Sequence, residues 1–207
     1  MIEVKYREKP LKYTSKGRSA LILGVGGLIL FAYYSIFRHY FPNVNGNMGH
    51  DYSFFLPALL DGYFWFHKNG LLEIPWFTPS FCGGSLNYIN INNGYYTLPQ
   101  FITFFTDPVT AVRLTFVIFA GIGLSGFYFL LRRAFFFSPA GSYLCATLFL
   151  FNGFYAHRMI VGHLGYFSFM LLPFITFFLL RPIPDEYPSR VRQLIFDILF
   201  SGLLFAA

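Results

Sequence analysis

Asp51, in the run Gly49-His50-Asp51-Tyr52, follows the first long apolar stretch of the chain, while Arg158 and His163 lie between two later ones. A carboxylate can take a proton from a hydroxyl, and arginine or histidine can hold an oxygen on which negative charge is growing. By that chemistry Asp51 is a candidate base, and His50, Arg113, Arg158 and His163 are candidate substrate-binding groups. Each has a plainer reading beside the chemical one. Asp51 or Ser53 is placed to cap a following helix, and Arg113, early in an apolar stretch, can snorkel to the lipid headgroups. Asp61 and Glu73 read as solvated or capping, and Asp107 as a cap on the helix that Pro108 begins.

The elements that must position these groups are membrane spans. The 207 residues are 56% hydrophobic and 12% charged, with a mean hydropathy of +0.53, outside the balance of a soluble domain. The expected class is all-α: a polytopic helical membrane protein with a long, partly helical outer loop between its first two spans. The stretch 19–37 reaches about 28 Å as a helix, enough to cross. Further spans are expected at 108–131, 138–156 and 164–180. The apolar run at 194–207 is too short to cross, so the chain is expected to be truncated within a fifth span. A partner protein supplying further spans is the alternative.

Placement of the basic residues sets the expected orientation. Lys5, Arg7, Lys9, Lys12, Lys16 and Arg18 precede the first span, in a tail at 1–18. Arg132 and Arg133 follow the second, and Arg181, Arg190 and Arg192 follow the fourth. The positive-inside rule makes these groups cytoplasmic and the protein a multi-pass resident of the cell (inner) membrane. The net charge of +6 is thus a topology signal rather than a nucleic-acid signal. The first apolar stretch is too long for a cleaved signal peptide and has no small-residue cleavage site after Phe37.

The segment 38–107 is then extracytoplasmic. Residues 53–66 read as an interfacial helix, apolar at Phe54, Phe55, Leu56, Leu59, Leu60, Tyr63 and Phe64, and a short apolar run follows at 101–105. Pro75-Trp76, Thr78-Pro79, Cys82-Gly83-Gly84 and the cluster Asn87, Asn90, Asn92 and Asn93 specify turns. Cys82 and Cys145 fall in different compartments and cannot pair. All five histidines fall on the outer side, without the spacing of a dedicated metal site. A loosely held divalent cation (Mg or Mn) assisting a phosphate is the most that the pattern allows.

The order of these features resembles a known family. An Asp soon after the first span, the segment Pro57-Ala-Leu-Leu-Asp-Gly62, Pro75-Trp76, Gly83-Gly84, the Asn cluster and Tyr95-Tyr96 are similar to the start of the multi-pass C-type membrane glycosyltransferases. Arg158-Met-Ile-Val-Gly-His163-Leu, followed by Leu172-Pro173, adds to the likeness, which covers most of Gly49 to Arg181. The resemblance implies a polyprenyl-phosphate-linked sugar as donor, Asp51 as catalytic base, and Arg158 and His163 facing the carrier phosphate. It also implies many more spans than are present. Two other classes compete: a transporter or lipid flippase fragment, disfavoured by polar residues gathered in loops and by the lack of duplicated halves, and a non-catalytic assembly subunit.

Overall fold

The computed structural model describes residues 15–43, 51–73, 75–80, 83–86, 94–180 and 189–206. Within them the protein is mostly helical with almost no strand. Three stretches are long and apolar enough to cross a membrane: Ser19–Tyr40, Pro108–Ala134 and Pro139–Val161. The basic residues of the tail before Ser15, together with Arg181, Cys82, His50 and the Asn cluster, lie outside the described residues.

Helix α1 (Ser15–Phe37) is apolar throughout and passes into a short 3-10 turn, Arg38–Tyr40. Helix α2 (Tyr52–Asn69) starts and ends beyond the expected 53–66. It buries Tyr52, Leu56, Leu59, Gly62 and Phe66 on one face, while Phe54, Leu60 and Phe64 on the other remain exposed. A two-residue antiparallel pair, β1 (Phe77–Thr78) with β2 (Ser85–Leu86), and the short helix α3 (Leu98–Ile102) follow.

Helix α4 (Pro108–Phe129) is the central element, with Pro108 at its first position and Asp107 capping it through the Thr110 amide at 3.0 Å. It continues as a wider π turn, Leu130–Ala134. Helix α5 (Pro139–Leu150) returns after a Ser138 cap.

The third stretch long enough to cross, Pro139–Val161, overlaps nearly all of the expected third span, 138–156, and extends beyond it. The helix breaks at Phe151–Asn152, where Asn152 accepts from the Phe154 amide and starts α6 (Gly153–Val161). Side-chain capping by Asn offers the amides an alternative to continuing the preceding helix. The expected fourth span, 164–180, is likewise two pieces: a 3-10 stretch, Leu164–Leu171, then helix α7 (Leu172–Leu180). Helix α8 (Ser189–Ala206) begins before the apolar run at 194 and carries Asp197, which is buried.

Aromatic packing joins the helices. Tyr33 of α1 stacks on Phe116 of α4, which stacks on Tyr155 of α6, each pair at 5.3 Å between ring centres, and all three rings are fully buried. The 4.5–7 Å range is that of favourable aromatic pairs. Where α4 meets the following elements its residues are small. A methyl group at Gly123 would stand 2.3 Å from the Met170 sulfur, and one at Gly126 would stand 2.7 Å from the Phe174 ring. Close backbone approach over small residues is how helices gain contact where lipid supplies no hydrophobic drive.

Hydrogen bonds fix the helix directions. The Tyr143 hydroxyl of α5 donates to the Ile22 carbonyl near the start of α1, and Arg113, near the start of α4, donates to the Pro42 carbonyl just past the end of α1. So α4 runs against α1 and α5 runs with it. Residues near 42 and 113 mark one end of the bundle; 22, 132 and 143 mark the other.

Candidate active site

The first end gathers the start of α2 and the turn after α6. Gly162 ends α6 in a left-handed conformation (φ 93°), which a side chain would oppose. Its bare α-carbon also lets α2 come close: a methyl group there would sit 2.8 Å from the Tyr52 nitrogen and 3.1 Å from the Asp51 carbonyl carbon. Two hydrogen bonds, one from the backbone and one from a side chain, lock this approach. The Asp51 amide donates to the Val161 carbonyl at 3.1 Å, and the Tyr52 hydroxyl donates to the Met159 carbonyl.

This contact sets three side chains in a row. Asp51 Oδ2 lies 2.9 Å from His163 Nε2, and His163 Nδ1 lies 3.0 Å from Arg158 Nη1. A guanidinium only donates and a carboxylate only accepts, so the network assigns the imidazole as neutral, with its proton on Nε2. Arg158 rests over the Tyr166 ring at 4.7 Å and the Phe154 ring at 5.3 Å, within cation–π reach. Its Nε is buried and has no hydrogen-bond partner among the described residues. Asp51 and His163 stay accessible, with side chains 43% and 34% exposed.

Asp51 occupies the cap position of α2, yet its side chain makes no capping hydrogen bond. The capping alternative is therefore corrected: the carboxylate turns to His163 instead. Arg113 is not brought to this cluster by any hydrogen bond. Its guanidinium is spent on the Pro42 carbonyl, tying the segment after α1 to α4, with Nε buried and unpartnered among the described residues. His50 lies outside the described residues.

Sequence reasoning missed the part played by Asp61, which is half-buried and serves as an acceptor for distant hydroxyls rather than as a cap. Its Oδ1 accepts from the Thr78 hydroxyl at 2.6 Å and the Ser80 hydroxyl at 2.8 Å, and its Oδ2 accepts from Tyr95 at 2.6 Å. Burial first, and then the Asp61 carboxylate, push the Tyr95 phenol well above its ordinary value. Beside it, buried Gln100 donates to the Leu59 carbonyl and to Thr103, in space left by Gly62, where a methyl group would meet Gln100 Oε1 at 2.2 Å. The sequence signal was the Asp-Gly pair inside an otherwise apolar helix.

A divalent cation prefers several oxygen ligands. Among the described residues no group of three or more His, Cys, Asp or Glu side chains gathers, and the carboxylate of Asp51 is flanked by an imidazole and a guanidinium. These residues do not fit such an ion. Compared with family models, with curated proteins and with solved structures, the chain matches none.

Proposed function

We propose that this protein is an integral membrane glycosyltransferase that moves a sugar from a polyprenyl-phosphate carrier to an acceptor hydroxyl on the extracytoplasmic face. The supporting observation is that Asp51, His163 and Arg158 converge at one end of the bundle, although the membrane-length stretch Pro108–Ala134 and most of Pro139–Val161 lie between Asp51 and the other two in the chain. A base beside a cation is what such a transfer requires. Asp51 takes the acceptor's proton as the acceptor oxygen attacks the anomeric carbon. The bond from that carbon to the phosphate oxygen breaks, and the carrier phosphate leaves with the electron pair. Arg158, whose guanidinium has donors to spare, meets the growing charge. His163 sits between them and fixes the orientation of both. In this reading the basic N-terminal tail is cytoplasmic, and the aromatic face of α2 rests at headgroup depth.

Transfer from a polyprenyl-phosphate sugar, measured in membranes, tests this. Asp51→Asn is expected to lower it by about 10²–10⁴-fold with the amount of inserted protein unchanged. Undiminished transfer would remove Asp51 as the base. Movement of the substrate across sealed vesicles with no glycosidic bond formed would assign the protein to transport instead.

A further inference from the structure

The members of the row Arg158, His163, Asp51 are not held equally firmly. His163 is pinned by its backbone: its amide donates to the Arg158 carbonyl at 2.9 Å, and its carbonyl accepts from the Tyr166 amide at 3.1 Å. Its ring stays partly exposed, within reach of water and so of protons. Among the described residues the titratable side chains that bond or stack with that ring are Asp51 from the start of α2, Arg158 from α6 and Tyr166 from the 3-10 stretch, the last at 5.9 Å between ring centres. Arg158 is the looser partner. Among the described residues its guanidinium is held by one hydrogen bond, from Nη1 to His163 Nδ1, and by the faces of Phe154 and Tyr166, while its buried Nε has no acceptor. A buried donor left without an acceptor costs free energy, which leaving the seat would recover.

We propose that His163 is a proton-operated latch on Arg158: the neutral ring holds the guanidinium in the cluster, and the protonated ring lets it go. Only the neutral imidazole has an acceptor at Nδ1. A proton taken from water onto Nδ1 turns that acceptor into a donor, facing another donor at 3.0 Å, and sets two like charges side by side. Asp51 pulls the ring the other way, because its carboxylate pairs with the imidazolium through Nε2 at 2.9 Å. The ring therefore stays, and the long arginine stem yields. Acid leaves Asp51 engaged by an imidazolium and releases a cation at the same end of the bundle. The latch works whether or not the cluster transfers a sugar.

Solid-state ¹⁵N nuclear magnetic resonance of the full chain in lipid bilayers, labelled at histidine and arginine, reads both halves of the latch. Arg158→Lys assigns the arginine signal by removing it. At about pH 8, above the ordinary imidazole value, the His163 ring is expected to carry its proton on Nε2 alone and to show a through-space cross-peak from Nδ1 to the Arg158 guanidinium. On acidification to about pH 5, below that ordinary value, the ring should gain its second proton and the cross-peak should vanish in the same step. His163→Gln supplies a carbonyl acceptor that does not titrate, so its Arg158 signal should keep the seated position throughout. A cross-peak that survives beside a doubly protonated ring would overturn the proposal. So would a cross-peak absent already at the alkaline end, a ring still singly protonated at the acid end, or a His163→Gln chain that loses the seated signal over the same interval. If His163→Gln does not fold, the two wild-type signals decide.

Discussion

At the scale of single residues, two carboxylates of the same segment have divided roles. Asp51 meets His163 near the surface, whereas Asp61 collects three hydroxyls that arrive from later in the chain. Hydrogen bonds to a charged acceptor are worth about 1.5–3 kcal/mol each. Asp61→Ala is therefore expected to cost on the order of 3 kcal/mol, read as a lower unfolding midpoint in detergent. Tyr95 carries a pH signature. Its folded value is raised, so the stabilisation is complete below the ordinary tyrosine value and is lost as pH climbs past it. Tyr95→Phe should flatten that alkaline loss in a melting series. At the end that carries Asp51, Arg158→Gln is expected, under the proposed function, to lower transfer by about 10²-fold, since among the described residues it is the cation bonded to His163.

At the scale of elements, the turn after α6 is the piece on which the candidate site depends. Gly162→Ala places a methyl group 2.8 Å from the Tyr52 nitrogen and asks a non-glycine residue to adopt φ 93°. It is expected to destabilise by more than about 1 kcal/mol and to depress transfer even in the protein that folds, by moving Asp51 off His163; activity per folded molecule checks this. Helix α4 offers an acid-side test. Hydrogen bonding by Thr110 holds the Asp107 carboxyl below its ordinary range, so its contribution is present above that range and fades as pH falls through the folded value. Asp107→Ala should cost about 1 kcal/mol near neutrality, with the difference from wild type shrinking in acid. Apolar runs and a Pro after an Asp made α1 and α4 legible in the sequence. The break between α5 and α6 was not, because Asn152 is one polar residue in a run whose hydropathy stays high on both sides. Nor was the role of Asp61, because its partners lie 17, 19 and 34 residues away in a segment that reads only as turns.

At the scale of the molecule, hydrogen bonds and stacked rings make α1 and α4 antiparallel, and with that the two ends acquire different chemistry. Lys68 and Ala140 are exposed and belong to opposite ends. With cysteines introduced at these positions, a membrane-impermeant maleimide should reach the first in intact cells and the second only after lysis. The arginines in the sequence set an expected orientation, whereas the meeting of Asp51 with His163 rests on a glycine whose importance shows only when two distant turns are brought face to face. The direction of the bonds in that row has a kinetic corollary. With Arg158 seated on Nδ1, the imidazole offers no onward route for a proton delivered to Asp51. In the proposed transfer, each turnover would then shed that proton straight to bulk water from an open carboxylate, and small diffusible buffers should quicken the cycle whenever this discharge sets its pace.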